Sequence, residues 1–140
     1  MTREARQTVP FEDVLHALQH VRRTRITLEA RKRRYMFGAL NYGEVPTMIN
    51  DADGDCWDII LPGMTRRLMV NRPYAVKRVI GAVTLENGNH KIAVELFVPG
   101  FDHRKVDADV QRYMVNYTQF TRVDTEWRLL RELLADAAGS

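Results

Sequence analysis

The sequence predicts an α+β fold in which a small antiparallel β-barrel is flanked by an N-terminal helix and by C-terminal helices. Three observations predict this fold. Apolar residues recur at helical spacing up to about residue 25, short apolar runs separated by tight turns fill residues 26–105, and helical spacing returns over 106–140. The chain of 140 residues suits one domain. Short strands joined by tight turns are typical of a barrel or a sandwich.

Residues 1–25 are predicted to contain one amphipathic helix. Thr8 is a candidate N-cap, and Pro10 suits a first helical turn. We expect the apolar face of this helix to dock on the core. That face consists of side chains spaced three or four residues apart, namely Phe11, Val14, Leu15, Leu18 and Val21.

The central strands are predicted from apolar runs bounded by turn residues. The run over 56–61 is closed by Pro62-Gly63, and residues 74–85 are rich in valine and other strand formers. Asn87-Gly88 is a strong hairpin signal between that segment and the apolar run 91–98. These segments form the predicted barrel core.

Residues 106–140 are predicted to form helices. Asp107 is a candidate cap for a helix that carries Val110, Met114 and Tyr117. Asp124 is a candidate cap for a second helix that carries Trp127, Leu130 and Leu134. We expect both helices to pack on the outside of the barrel.

Composition restricts the class of protein only mildly. Lys and Arg number 21 and Asp and Glu number 18, so the net charge is +3, which permits a polyanionic partner without requiring one. No apolar run approaches the roughly 20 residues that span a bilayer, and the N-terminus lacks the apolar stretch of a signal peptide. Cys56 is the single cysteine, which leaves no internal disulfide framework. We therefore expect a cytoplasmic protein without a membrane partner.

A basic run lies between the predicted helix and the strands. Seven of the thirteen residues from 22 to 34 are Lys or Arg, with Tyr35 and Phe37 following. Such a run can be a nucleic-acid footprint, but the aromatic residues are sparse. A solvated basic face is the favoured interpretation, with nucleic-acid binding kept as the alternative.

An acidic cluster precedes the strand 56–61. Asp51, Asp53, Asp55 and Asp58 fall within eight residues, and their mutual repulsion is relieved if a hard cation such as Mg²⁺ binds between them. The alternative is a solvated acidic turn. An EF-hand loop is excluded, because the positions that require glycine and glutamate hold Cys56 and Pro62.

The spacing Asp53-Gly-Asp55-x-x-Asp58 favours a different metal site. Residues two apart in an extended chain share a face, and a turn at 54–57 could bring Asp58 to the same cavity. We expect the three carboxylates to converge there. Two divalent ions held in this way can align an in-line phosphoryl transfer.

These residues resemble a known family. The stretch 41–46, which contains Tyr42-Gly43, followed by Asp53-Gly54-Asp55-Cys56-Trp57-Asp58 before a strand, resembles the soluble family I inorganic pyrophosphatases. Residues 79–83, the turn 86–91 and residues 92–94 are similar to the next hairpin of that family. Upstream, 26–29 and 34–35 are similar to its first strand. The resemblance covers about residues 26–98.

The resemblance implies an OB-like, pyrophosphatase-type barrel and Mg²⁺-dependent hydrolysis of inorganic pyrophosphate, or of a related phosphoanhydride, to phosphate. Asp55 would also assist deprotonation of the attacking water. A homo-oligomer is a further possibility that the family suggests. The implied metal ligands are Asp53, Asp55, Asp58, Glu86 and Glu29, and the implied substrate contacts are Arg34, Tyr42, Lys91 and Tyr117.

The chain also departs from the family pattern. Cys56 replaces the signature proline, Asn89 stands where a carboxylate is usual, and Thr118 stands where a lysine follows the C-terminal tyrosine. These changes predict weak activity. The alternative function is a catalytically weakened relative that binds a phosphorylated ligand, a nucleic acid or a protein partner.

Overall fold

The computed structural model describes residues 6–20, 25–28, 41–70 and 72–139. Within them, strands and helices follow one another as an α+β arrangement. The strands are β1 (Gln7–Thr8), β2 (Arg25–Leu28), β3 (Asn41–Ile49), β4 (Cys56–Leu61), β5 (Pro73–Leu85), β6 (Lys91–Leu96) and β7 (Thr125–Leu129), and the helices are α1 (Phe11–His20), α2 (Val106–Thr121) and α3 (Leu130–Gly139), with a 3-10 turn at His103–Lys105 before α2.

Five of the described strands close into a barrel. The ring runs β3-β2-β5-β6-β4 and returns to β3 through the β3–β4 pairing. The predicted barrel is therefore confirmed, but not as a purely antiparallel one, because β4 and β6 pair in parallel. The reason is geometric: strand direction cannot alternate all the way round a closed ring with an odd number of strands. β1 and β7 extend the sheet outside the ring by pairing with β3 and β5.

Two apolar clusters lie on opposite faces of the barrel wall. Alternate residues of β4 point to opposite faces, so Trp57, Ile59 and Leu61 join one cluster while Ile60 joins the other. The first cluster includes Val14, Leu15 and Leu18 of α1. The second is covered by α2 and consists of Tyr42, Ile60, Ile80, Val83, Leu85, Ala93, Val106, Val110, Tyr113 and Tyr117.

The predicted N-terminal helix is present, but its predicted N-cap is wrong. Thr8 lies in β1 with Ile49 as its Cα partner, so its backbone is extended. The helix begins at Phe11, and the Pro10 carbonyl accepts the amides of Asp13 and Val14. Val21 of the predicted stripe lies outside the described residues.

The C-terminal segment contains a strand where only helix was predicted. Asp124 does not cap a helix through Trp127, because residues Thr125–Leu129 pair antiparallel with the second half of β5. The 13-residue β5 is long enough to pair with β2, β6 and β7, and this pairing outweighs the helical spacing of the apolar residues. Asp107 lies in the first turn of α2, while Lys105 occupies the N-cap position.

The predicted hairpin at Asn87-Gly88 is confirmed. β5 and β6 pair antiparallel on either side of it, and Gly88 has a φ of +82°, a conformation that glycine adopts without strain. Its amide donates to the Leu85 carbonyl. Among the described helices, none combines the length and the apolar character needed to cross a bilayer.

Candidate functional site

The acidic turn between β3 and β4 is stabilised by its own hydrogen bonds. Asp51, Asp53 and Asp55 are all exposed. The Asp55 amide donates to Asp53 Oδ1 at 3.0 Å, and the Ala52 amide donates to Asn50 Oδ1 at 3.0 Å. The Asp53 carboxylate therefore supports the turn itself, as the aspartates of solvated turns do.

Asp58 has a different environment from the turn. It lies inside β4, is 8% exposed, and accepts a hydrogen bond from Lys91 Nζ at 2.5 Å. Lys91 is itself only 4% exposed. The two residues are Cα partners in the parallel β4–β6 pairing, so the barrel register places them side by side. The result is a buried ion pair at the parallel seam of the barrel.

Asn89 and the predicted substrate contact Tyr117 also lie next to the Lys91 ammonium group. Lys91 Nζ also donates to Asn89 Oδ1 at 3.1 Å, and it lies 5.7 Å from the centroid of the Tyr117 ring on α2. Tyr42 belongs to the same apolar cluster as Tyr117. The structure therefore brings Asp58 and Lys91 together with Tyr117 where α2 packs on the barrel, although the three residues are far apart in sequence.

The described residues do not fit a two-metal centre. Asp53 and Asp55 lie in the exposed turn, Asp58 is bound to Lys91, and Glu86 lies exposed in the hairpin. Among the described residues, no three His, Cys, Asp or Glu side chains form a group that could hold a metal ion. The structure thus does not bring Asp53, Asp55 and Asp58 around one ion.

The predicted ligand Glu29 and the predicted phosphate contact Arg34 lie outside the described residues.

The other predicted phosphate contacts lie in the protein interior. Tyr42 and Tyr117 are each 6% exposed, and Lys91 already contacts two oxygen atoms. These groups have little contact with solvent, which limits the access of a pyrophosphate ion to them. In this conformation the three residues belong to the packed layer between barrel and helix.

His90 connects the β5–β6 hairpin to α1. Its Nδ1 accepts the Leu85 amide at 3.0 Å, and its ring lies 4.6 Å from that of Phe11. Burial lowers the pKa of His90 below its usual 6.5, the Lys91 charge lowers it further, and Glu12 opposes the shift. The neutral imidazole is thus the form that suits this contact.

A basic and aromatic pocket lies at one end of the barrel, where sequence reasoning predicted no site. It has a volume of about 400 Å³ and is lined by Arg66, Arg67 and Arg72 together with Tyr74 and Phe97. None of its described lining residues is acidic. We call it the arginine pocket.

Backbone contacts fix the walls of the arginine pocket. Arg66 Nε donates to the Pro99 carbonyl at 3.0 Å, and the Tyr74 hydroxyl donates to the Met69 carbonyl at 3.3 Å. The Phe97 amide donates to the Ala75 carbonyl at 3.2 Å, which holds Phe97 beside the start of β5. The Phe97 side chain is nevertheless 62% exposed. An exposed aromatic ring next to arginines is a surface suited to ligand contact.

One described member of the basic run lies next to this pocket. Arg25 is exposed in β2, and its Cα partner is Ala75, which lines the pocket. The sequence signal that could have identified the pocket is the group Arg66-Arg67 and Arg72 before a strand. Phe97 is remote in sequence, and only the β5–β6 pairing brings it to the same place.

Comparison with family models, with curated proteins and with solved structures gives no significant match for this chain.

Proposed function

We propose that this protein is a pyrophosphatase-like barrel that binds a phosphate-bearing ligand at the arginine pocket and has little or no hydrolytic activity. The observation that supports this proposal most strongly is the composition of the pocket, which combines three arginines with an exposed phenylalanine and a tyrosine. None of the described lining residues is acidic, and three of them are arginines, so the described part of the pocket is rich in positive charge. The ligand is therefore expected to be an anion.

The chemistry of the side chains narrows the ligand further. A guanidinium group is planar and can donate two parallel hydrogen bonds to a phosphate. An exposed aromatic ring provides a face on which a nucleobase can stack. A cavity of about 400 Å³ lies within the range of small-molecule sites. The ligand class is a phosphate joined to a base, supplied by a free nucleotide or by single-stranded nucleic acid.

Mg²⁺-dependent hydrolysis of pyrophosphate is the second candidate function. This function is favoured because Asp58, Lys91 and Tyr117 lie close together, and the resemblance assigns them to one site. Divalent ions would supply charge neutralisation and activated water for that reaction. The described carboxylates do not fit such ions. Binding without turnover therefore ranks first.

The binding experiment uses a fluorescently labelled dT10 oligonucleotide and measures anisotropy over a range of salt concentrations. We expect Arg72→Gln to weaken binding severalfold and to lower the slope of log K against log[salt] by about 0.7, as the loss of one phosphate contact does. Arg131→Gln is the matched control, because Arg131 is exposed on α3. Identical binding by parent and Arg72→Gln would contradict the proposal.

Two further arms separate the ligand sources and the two functions. Competition by ADP at concentrations comparable with those of the oligonucleotide identifies a free nucleotide as the ligand, and weak competition identifies nucleic acid. Phosphate release from pyrophosphate is measured in parallel with saturating Mg²⁺. We expect release no faster than in a sample without protein. Turnover that is retained in Arg72→Gln would favour the hydrolase instead.

A further inference from the structure

A second and larger cavity lies between α1, the β5–β6 hairpin, β7 and α3. Its volume is about 740 Å³, and Leu15, Leu85 and Leu133 form its apolar floor. Leu134 also lines it and is exposed. We call this cavity the α1–α3 groove. It shares no lining residue with the arginine pocket, so an inference about it is independent of the proposed function.

The groove is lined by two residues that carry buried donors without partners. Gln19 Nε2 and Arg128 Nε have almost no solvent exposure and no hydrogen-bond partner among the described residues. Burying a donor without an acceptor is unfavourable, so each such group calls for an explanation. A ligand oxygen that reached these atoms from the groove would satisfy them. These two donors indicate a ligand that carries hydrogen-bond acceptors.

The rim of the groove is acidic. Glu12, Glu86, Asp124 and Glu126 all line it and are all exposed. Arg128 is the one Lys or Arg among the described lining residues, and it forms an ion pair with Asp136. Four carboxylates thus concentrate here on a protein whose net charge is +3. The charge favours a cationic occupant.

We propose that the α1–α3 groove binds a short, extended segment of a basic partner protein, in which lysine or arginine flanks an apolar side chain. The apolar side chain packs on the leucine floor. Backbone carbonyls of the segment accept from Gln19 Nε2 and Arg128 Nε. The cationic side chains meet the carboxylates on the rim. Each part of the groove is thereby matched by one part of the segment.

The first test uses the acetylated and amidated peptide Lys-Leu-Lys-Leu-Lys as the probe, with binding measured by calorimetry on the full chain. We expect saturable binding that is at least about tenfold tighter than that of Glu-Leu-Glu-Leu-Glu, of Lys-Ser-Lys-Ser-Lys or of spermidine. Equal binding by spermidine would show that charge alone is recognised and would overturn the proposal. No saturable binding of the leucine peptide would overturn it too.

The second test uses Gln19→Leu, which removes an unpartnered donor. We expect this variant to raise the unfolding midpoint and to weaken peptide binding severalfold, because the donor has an acceptor only in the complex. A purely structural glutamine would instead lower the midpoint. Gln111→Leu, at an exposed position on α2, is the control and leaves peptide binding unchanged. Unchanged peptide binding in Gln19→Leu would contradict the assignment.

Discussion

Lys91 Nζ lies 2.5 Å from Asp58 Oδ2, and both residues are almost fully buried. The pair joins β4 to β6, which form the one parallel contact in the ring of described strands. On its other side Lys91 Nζ contacts Asn89 Oδ1 and faces the Tyr117 ring. A carboxylate that the sequence pattern offers as a metal ligand therefore neutralises a buried ammonium group at the closure of the barrel.

The buried pair leads to a prediction about stability. Removing one partner leaves an uncompensated buried charge, so Lys91→Met and Asp58→Leu should each lower the free energy of unfolding by about 3–5 kcal/mol. The double variant Asp58→Leu with Lys91→Met removes both charges and should recover most of that loss. Urea unfolding of the four proteins measures the cycle. Additive single losses in the double variant would show that the two side chains do not interact.

Magnesium should not stabilise the folded protein. A ligand that binds only the native state raises its stability, and the described carboxylates form no group suited to a metal ion. We expect the melting temperature in Mg²⁺ at millimolar concentration to match that in EDTA to within about 1 °C at constant ionic strength. Calcium serves as the comparison ion. A magnesium-specific rise of several degrees would restore the metal-site hypothesis.

His90 should make stability depend on pH. Its pKa is lowered in the folded state, chiefly by burial, so the unfolded chain binds a proton more readily. Its contribution is therefore fully present above pH 6.5 and is lost as the pH falls through the lower folded pKa. We expect the free energy of unfolding to decline from pH 7 to pH 5.

The substitution His90→Asn tests this dependence, because an asparagine oxygen can still accept the Leu85 amide. The decline should become shallower in His90→Asn and should persist in His103→Asn, which changes an exposed histidine. Asp102 also has a lowered pKa, because its carboxylate accepts hydrogen bonds from Arg104. The effect of Asp102 on the free energy of unfolding lies below about pH 4, which is outside the measured range. Parallel curves for parent and His90→Asn would assign the decline to other groups.

Phe97 should contribute to ligand binding through its ring. Stacking of a base on an aromatic side chain contributes about 1–3 kcal/mol, so Phe97→Leu should weaken dT10 binding by about fivefold or more. Phe120→Leu is the matched control, because Phe120 is also exposed but lies on α2. Heparin, which has charge but no bases, should bind the parent and Phe97→Leu equally. Equal weakening of heparin and oligonucleotide binding would indicate a general loss of the pocket.

The parts of the fold that follow from local signals were predictable. The Asn87-Gly88 turn fixes the β5–β6 hairpin, and the apolar spacing from Phe11 fixes α1. β7 was missed because Trp127 and Leu130 also fit a helical spacing, and its strand conformation depends on pairing with β5. The parallel β4–β6 contact is likewise a property of the closed ring.

The candidate sites were predictable only in part. Asp58, Lys91 and Tyr117, which the resemblance assigns to one site, lie together in the structure, but no sequence pattern shows that Lys91 neutralises Asp58. Pairing partners depend on strand register, which is a long-range property. The arginine pocket was missed because Arg66 and Phe97 come from opposite ends of the β5–β6 unit. The denser basic run at 22–34 is the more obvious candidate for nucleic-acid binding in the sequence.

The location of the bound phosphate tests the proposed function most directly. It can be measured by following the ¹H–¹⁵N spectrum of the labelled protein during titration with dT6 at low salt. The proposal predicts saturable shifts concentrated in residues 66–69, 72–75 and 97–98, which line the arginine pocket. Shifts concentrated at Tyr42, Asp58, Lys91 and Tyr117, or no saturable shifts at all, would contradict it.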